Sequence, residues 1–323
     1  MVFMKLMSRI ARVTRWMAVA ASVFLAAGAI YQFVATRLDE ARYPPPGEMV
    51  PVGDRTFHLN CAGTGSPTVI LEAGLGGGSL DWVLVQSEVA RFTRVCSYDR
   101  SGFAWSGPAY SRERDAVSVT EDLYSMLNSA GIAPPYVMVG HSIGGIYAQM
   151  FSARYSQEVA GVVLVDSSHP DQLSHIAGIP GFLPYLLKVS APVGITRIVN
   201  ALDDVPNLTP ETRVERAALY SRTASIWSMA DEIAEIPPSL EQVRGTPMQL
   251  GDKPLVVLAR GLTDGLSPDG AVAWRDLQSD LSRASSSGKL MVAEKSGHYI
   301  HFAEPGLVIE AIVHVLHAAP DRR

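Results

Sequence analysis

Seven short β-branched runs constrain this chain more than any other feature. They lie at Arg55–Cys61, Thr68–Glu72, Arg94–Tyr98, Tyr136–Gly140, Val159–Asp166, Pro254–Arg260 and Leu290–Glu294. Helical patterns separate most of them, which is the signature of βαβ units on a parallel sheet. The stretches VILEA, YVMVG, VVLVD and LVVLA are almost wholly apolar, as expected of strands covered on both faces. The expected architecture is therefore α/β with an interior sheet. A chain of 323 residues, 47% hydrophobic and 18% charged, has the apolar content for such a core. That composition excludes collagen-like and disordered classes.

A different signal stands ahead of the first strand. From Trp16 to Ala35 twenty residues pass without a charge, and as a helix they match a hydrocarbon core of about 30 Å. Lys5, Arg9, Arg12 and Arg15 precede the run, whereas Arg37, Asp39, Glu40 and Arg42 after it cancel. This asymmetry predicts a cytoplasmic N-terminus and an exported body, periplasmic or extracellular. The reading is a single-pass anchor within residues 1–43. Its rival is a secreted body released by cleavage near Ala27-Gly28-Ala29, but the apolar run continues past that site to Ala35. Tyr43-Pro44-Pro45-Pro46-Gly47 cannot continue a helix, so residues 44–47 form a stiff spacer. Residues 1–43 hold six basic and two acidic side chains, so the remainder carries a net charge of −9 against −5 for the whole chain. An acidic body offers nucleic acid no basic field.

Residues 169–250 break the strand rhythm. Thr209-Pro210-Glu211 combines an N-cap, a first-turn proline and an acidic first turn. Behind it Val214, Ala218, Leu219, Ile226, Ala230 and Ile233 recur at helical spacing. The segment is predicted to be a helical insertion, placed as a cap between two core segments, 48–168 and 251–323. Its front part, from Ile179 to Leu187, is markedly apolar. It is read either as packing on the sheet or as a greasy wall over a substrate pocket.

The chemistry is concentrated at Gly140-His141-Ser142-Ile143-Gly144. This G-x-S-x-G pattern places a serine on a strained strand-to-helix turn, where small flanks relieve crowding. The pattern alone is common; its position between an apolar strand and a good helix gives it weight. An alcohol is a poor nucleophile at neutral pH, so Ser142 requires an imidazole to take its proton and a carboxylate to orient that imidazole.

With these residues in order, the sequence resembles the α/β-hydrolase superfamily over nearly all of residues 48–317 outside the insertion. Leu71-Glu72-Ala73-Gly74-Leu75-Gly76-Gly77 stands in the place of that family's oxyanion loop. Tyr98-Asp99-Arg100-Ser101-Gly102 looks like its Y-D-R-x-G turn, and Ser296-Gly297-His298 like its late G-H. The resemblance implies a mostly parallel sheet of eight strands, the second antiparallel, with helices on both faces. His298 is then the expected base, with His301 as its nearest competitor and His141 read as a turn residue. Asp264, in the loop after Pro254–Arg260, is the expected acid, with Asp166 and Asp269 as alternatives. By family position the oxyanion donors are the backbone N–H groups of Leu75 and Ile143. Asp99 is read as structural, bonding the turn with Arg100, and Glu72 as a strand-end acid. In the family's sheet order the strands of Cys61 and Cys96 are neighbours, so a disulfide between them is an open expectation in an exported protein.

The expected function is a serine hydrolase acting through an acyl-enzyme on a carboxylic ester or related acyl compound, with an apolar acyl group. Neither an organic cofactor nor a catalytic metal is implied, and neither cysteine lies in a C-x-x-C pair. The alternatives are a carbon–carbon bond hydrolase of the same fold and a non-catalytic, membrane-tethered binding domain. Epoxide hydrolases and haloalkane dehalogenases of this fold use an aspartate nucleophile, which Ser142 argues against.

Overall fold

The computed structural model describes residues 2–108, 113–200, 205–263 and 265–319. Its strands are β1 (Glu48–Val52), β2 (Arg55–Ala62), β3 (Thr68–Glu72), β4 (Val95–Asp99), β5 (Tyr136–His141), β6 (Val159–Val165), β7 (Leu255–Arg260) and β8 (Gly288–Ala293). They form one eight-stranded sheet in the order β1-β2-β4-β3-β5-β6-β7-β8. β2 pairs antiparallel with both β1 and β4, and the pairs from β4 to β8 are parallel. The apolar runs are the central strands: every residue of β3, β5 and β6 is buried. β1 lies outside the seven predicted runs, because a five-residue edge strand holding Pro51 carries little β signal.

Helices cover both faces of the sheet and others stand away from it. They are α1 (Val2–Arg42), α2 (Val83–Val89), α3 (Ala116–Ser129), α4 (Ile143–Arg154), α5 (Leu183–Ser190), α6 (Ile195–Asn200), α7 (Pro210–Tyr220), α8 (Thr223–Ala234), α9 (Ile236–Gly245), α10 (Pro268–Ser282), α11 (Ile300–Ala303) and α12 (Pro305–Ala318). Leu123 and Met126 of α3, Phe151 of α4 and Leu281 of α10 fill the core on one side. Val85 and Val89 of α2 and Val308, Ile312 and Val315 of α12 fill the other. Between β6 and β7 the chain leaves the sheet for α5 to α9. Thr209 does cap α7, accepting from the Thr212 N–H at 3.2 Å, with Pro210 in its first turn.

Cys61 and Cys96 face each other in the β2–β4 register, with Cα atoms 4.0 Å apart, and are joined by a disulfide. The bond closes a loop across 35 residues of sequence, which limits the unfolded ensemble. The double variant Cys61→Ser/Cys96→Ser is expected to lose about 3 kcal/mol of stability. Urea unfolding of oxidised wild type beside the variant measures it, and coincident midpoints would show that the bridge contributes nothing.

α1 is long and apolar enough to cross a membrane and is almost entirely exposed. Its more protected positions in the second half, Gly28, Gln32, Ala35, Thr36 and Asp39, fall on one helical stripe. That stripe packs on the helices inserted between β6 and β7. Gln32 Nε2 donates to the Ser221 carbonyl at 2.8 Å, and Arg197 Nε donates to Gln32 Oε1 at 3.0 Å. The Arg197 guanidinium also pairs with Asp39 at 2.5 Å.

Candidate active site

The parallel strands deliver the chemistry to their C-terminal ends, where open α/β sheets build their sites. Ser142 occupies the turn between β5 and α4 with φ 54° and ψ −125°, a conformation a non-glycine residue adopts only under strain of order 1–3 kcal/mol. Its flanks explain the glycines. A Cβ on Gly140 would stand 2.6 Å from the Gly144 carbonyl oxygen, and one on Gly144 would strike the carbonyl of Ala73. The turn therefore closes only with small residues there, and its geometry projects the Ser142 hydroxyl away from the sheet.

His298 lies in the loop between β8 and α11. Its Nε2 is 3.0 Å from Ser142 Oγ, and its Nδ1 is 2.6 Å from Asp166 Oδ2. With the proton on Nδ1, the ring donates to Asp166 and Nε2 is left to accept from Ser142; this tautomer is assigned from the bonding pattern. Asp264, the carboxylate expected from sequence, lies outside the described residues. Among the described residues the carboxylate that meets His298 is Asp166, the alternative at the end of β6. Asp166 leaves the strand next to β5 with φ 42° and is fully buried. It accepts from Arg260 Nε at 2.7 Å and from Trp274 Nε1 at 2.7 Å as well as from His298. Burial works against its charge, but the bond to His298 and the charges of His298 and Arg260 outweigh that and hold its carboxyl below the usual range. Asp269 sits in the first turn of α10.

The neighbours of this trio were only partly legible. His141 is more than a turn residue: its Nε2–H donates to the His298 carbonyl at 3.0 Å, steadying the loop that carries the base. Burial, and then the nearby His298, push its pKa down to about 3, so the ring is neutral. His301, the competitor for base, is buried against Trp82 and His141. Arg260 is a single charge closing the apolar run LVVLAR, a sequence mark of the strand end nearest the site.

Arg100 also departs from expectation. Asp99 accepts from His58 Nδ1 at 2.8 Å and from the Ser79 N–H at 2.7 Å, while Arg100 turns to the loop after β3. There it donates to Glu72 Oε1 at 2.7 Å and to the carbonyls of Ala73 and Gly74, each at 2.8 Å. It also forks onto Glu232 of α8, at 2.7 and 3.0 Å. One buried guanidinium thus holds the Leu75 loop and ties it to the inserted helices.

Glu72 is fully buried, bonded to Tyr98 and Arg100. Desolvation outweighs the pull of Arg100 and raises its pKa to about 6. Because the folded value lies above the unfolded one of 4.5, the native state binds more protons between these pH values and its stability falls as pH rises through them. Glu72→Gln is expected to remove that slope, so wild type should lose stability relative to the variant between pH 4.5 and 6. Parallel profiles in thermal unfolding across that window would contradict the assignment.

Leu75, Ser142, Ile143 and His298 line one cavity of about 380 Å³. Ile176, Ile179, Ile233 and Ile236 from the inserted segment form much of its wall. The Ile143 N–H is the first of α4, one of the donors a helix leaves without an internal acceptor. Among the described residues no group of three or more His, Cys, Asp or Glu is arranged to hold a metal ion.

Comparison with known proteins agrees with this fold. Residues 69–311 match the sequence profile of the Alpha/beta hydrolase family. The Bacillus subtilis protein YqjL, itself described as uncharacterized, is 26% identical over 258 residues, covering 80% of this chain and 86% of its own. Among solved structures, a thermophilic esterase from Thermogutta terrifontis aligns with a TM-score of 0.62 at 20% identity, over 84% of this chain and 97% of its own. The enol-lactonase from Burkholderia xenovorans aligns with a TM-score of 0.64 at 16% identity, over 84% of this chain and all of its own.

Proposed function

We propose that this chain, which belongs to the alpha/beta hydrolase family, is a serine hydrolase that cleaves a carboxylic ester or related acyl compound through an acyl-enzyme. The observation that carries the reading is the unbroken contact chain Ser142–His298–Asp166 opening on an apolar cavity. His298 Nε2 takes the Ser142 proton as Oγ attacks the substrate carbonyl. Asp166 holds the ring in the required tautomer and stabilises the imidazolium that forms. The backbone N–H groups of Leu75 and Ile143 are assigned to the developing oxyanion, where one such donor is typically worth about 3 kcal/mol. The leaving group departs with the proton from His298. The same ring then deprotonates water to release the acid and regenerate Ser142.

The esterase and lactonase likenesses fit this chemistry, and the serine nucleophile disfavours the aspartate-based reactions of the fold. Residues 169–250 act in this reading as a cap whose isoleucines select an apolar acyl group. α1 acts as a retained membrane anchor with the catalytic body on the exported side. The packing of Gly28, Gln32 and Asp39 on the cap supports retention, and the Cys61–Cys96 bridge supports an oxidising compartment.

A fluorophosphonate probe tests the nucleophile. Rapid labelling of wild type that Ser142→Ala abolishes is expected, and wild type that stays unlabelled would favour a binding domain without catalysis. In a series of esters the rate is expected to peak at a medium or long acyl chain. A maximum at acetate would overturn the assignment of the cavity.

A further inference from the structure

A helix in a globular protein turns its apolar stripe toward the core. Two of the inserted helices also turn one outward. Phe182, Tyr185, Leu186 and Val189 recur at the spacing of one helical face along α5, and all four are more than half exposed. Ile195, Ile198 and Val199 do the same on α6, each at least 46% exposed. α5 packs its opposite side on α8, so its outward face is additional to its internal packing. Contiguous apolar surface of this kind marks an interaction site.

What covers it follows from α1. A Cβ on Gly28 would stand 2.7 Å from the Val193 carbonyl oxygen, and the Tyr31 ring would meet a Cβ on Gly194 at 3.0 Å. Val193 and Gly194 lead directly into α6. Gly28 precedes Ala35, where the uncharged run ends, by seven residues, or about 10 Å of helix rise. The start of α6 is therefore held about 10 Å inside the end of the apolar run, the depth to which interfacial apolar helices enter a leaflet. The polar groups at this level comply: Arg197 of α6 turns inward to Gln32 and Asp39, while Ile195, Ile198 and Val199 face out. Part of the cavity wall comes from the segment that leads into α5, because Ile176 and Ile179 line it and Phe182 follows three residues later.

We propose that the exposed faces of α5 and α6 are immersed in the lipid leaflet that α1 enters, and that the cavity over Ser142 draws its acyl substrate from that leaflet. The second half rests on the serine hydrolase reading; the first does not. α1 fixes the depth, the two helices form a shallow apolar foot beside it, and a lipid-borne ester reaches the isoleucine-lined wall without crossing water.

The test uses the full chain in phosphatidylcholine/phosphatidylglycerol vesicles. Tyr185→Cys, Val189→Cys and Val199→Cys each carry an environment-sensitive fluorophore, with Val272→Cys on α10, also exposed, as reference. Nitroxide-labelled phosphatidylcholine is expected to quench the first three and leave the fourth, with aqueous iodide giving the reverse. Iodide access equal to that of position 272 overturns the proposal. So does shielding from iodide without lipid quenching, which would place a second copy of the chain on this face. For delivery, the triple variant Phe182→Ser/Tyr185→Ser/Val189→Ser is expected to lower turnover of a long-chain ester in vesicles several-fold and to keep wild-type turnover of a soluble short-chain ester. Equal loss on both substrates, or on neither, overturns delivery from the leaflet. Wild type inactive on both overturns the hydrolase reading and delivery with it, while the label depths still decide the membrane contact.

Discussion

Asp166→Asn is expected to lower kcat by about 10⁴-fold, the scale on which the carboxylate of a serine–histidine–acid trio acts, whereas Asp264→Asn keeps most of the activity. The effect comes from the tautomer more than from the lost charge. Asp166 Oδ2 lies 2.6 Å from His298 Nδ1 and keeps the proton on that nitrogen. An amide there turns its NH₂ toward the ring, places the imidazole proton on Nε2, and removes the acceptor for Ser142. Trp274 Nε1 and the Arg260 backbone N–H both donate to Oδ1, which favours the amide oxygen on that side and the NH₂ at the Oδ2 position beside the ring. Steady-state kinetics on any hydrolysed ester measures both variants. A large loss in Asp264→Asn together with near-normal Asp166→Asn would return the acid to the loop after β7.

The largest effect on stability is expected at Glu232. Its carboxylate is fully buried, and it faces Arg100 at 2.7 Å and Arg114 at 3.4 Å. Removing one partner of a buried pair leaves an uncompensated charge, which typically costs about 3–5 kcal/mol. Glu232→Ala takes the carboxylate from Arg114 and leaves Arg100 only Glu72, so a loss within that range is expected in urea unfolding. The damage should reach the site as well, because Arg100 also holds the carbonyls of Ala73 and Gly74 just before Leu75. Glu232→Gln, which keeps the shape and one acceptor, should lose less stability and retain more activity. A Glu232→Ala protein as stable as wild type would mean that the cluster relaxes or admits water, and that the inserted helices are held by their apolar contacts alone.

Much of the core was legible because its signals are local. β3, β5, β6 and β7 are buried on both faces over nearly all their length, so their sequences are almost wholly apolar, and each predicted run overlaps its strand. The turn at Ser142 was equally legible, since a strained bend admits only small neighbours at Gly140 and Gly144, and that demand is written in five consecutive residues. The Cys61–Cys96 pairing stayed open, because only a register between β2 and β4 brings the two sulfurs together.

Other features left no local trace. Glu232 lies in α8 between positions that read as an apolar stripe, and nothing nearby in sequence announces a buried charge. Its partners Arg100 and Arg114 are 132 and 118 residues away. Arg100 looked like the partner of Asp99 because they are adjacent, yet neighbouring residues at a strand end point in different directions, and the two side chains join different networks. The outward apolar faces of α5 and α6 have the same periodicity as a core-facing helix, so sequence cannot tell which side is left exposed.

By itself the sequence determined the α/β sheet, the apolar N-terminal helix, the bend that carries Ser142 and the histidine near the end of the chain. Each of these depends on burial pattern or backbone geometry over a few residues. Only the tertiary structure brings Asp166 to His298. β6 and β7 are neighbours in the sheet and both end beside the His298 loop. That contact rests on a backbone turned to φ 42° and on anchoring by Arg260 and Trp274, contacts that exist only once distant segments have packed.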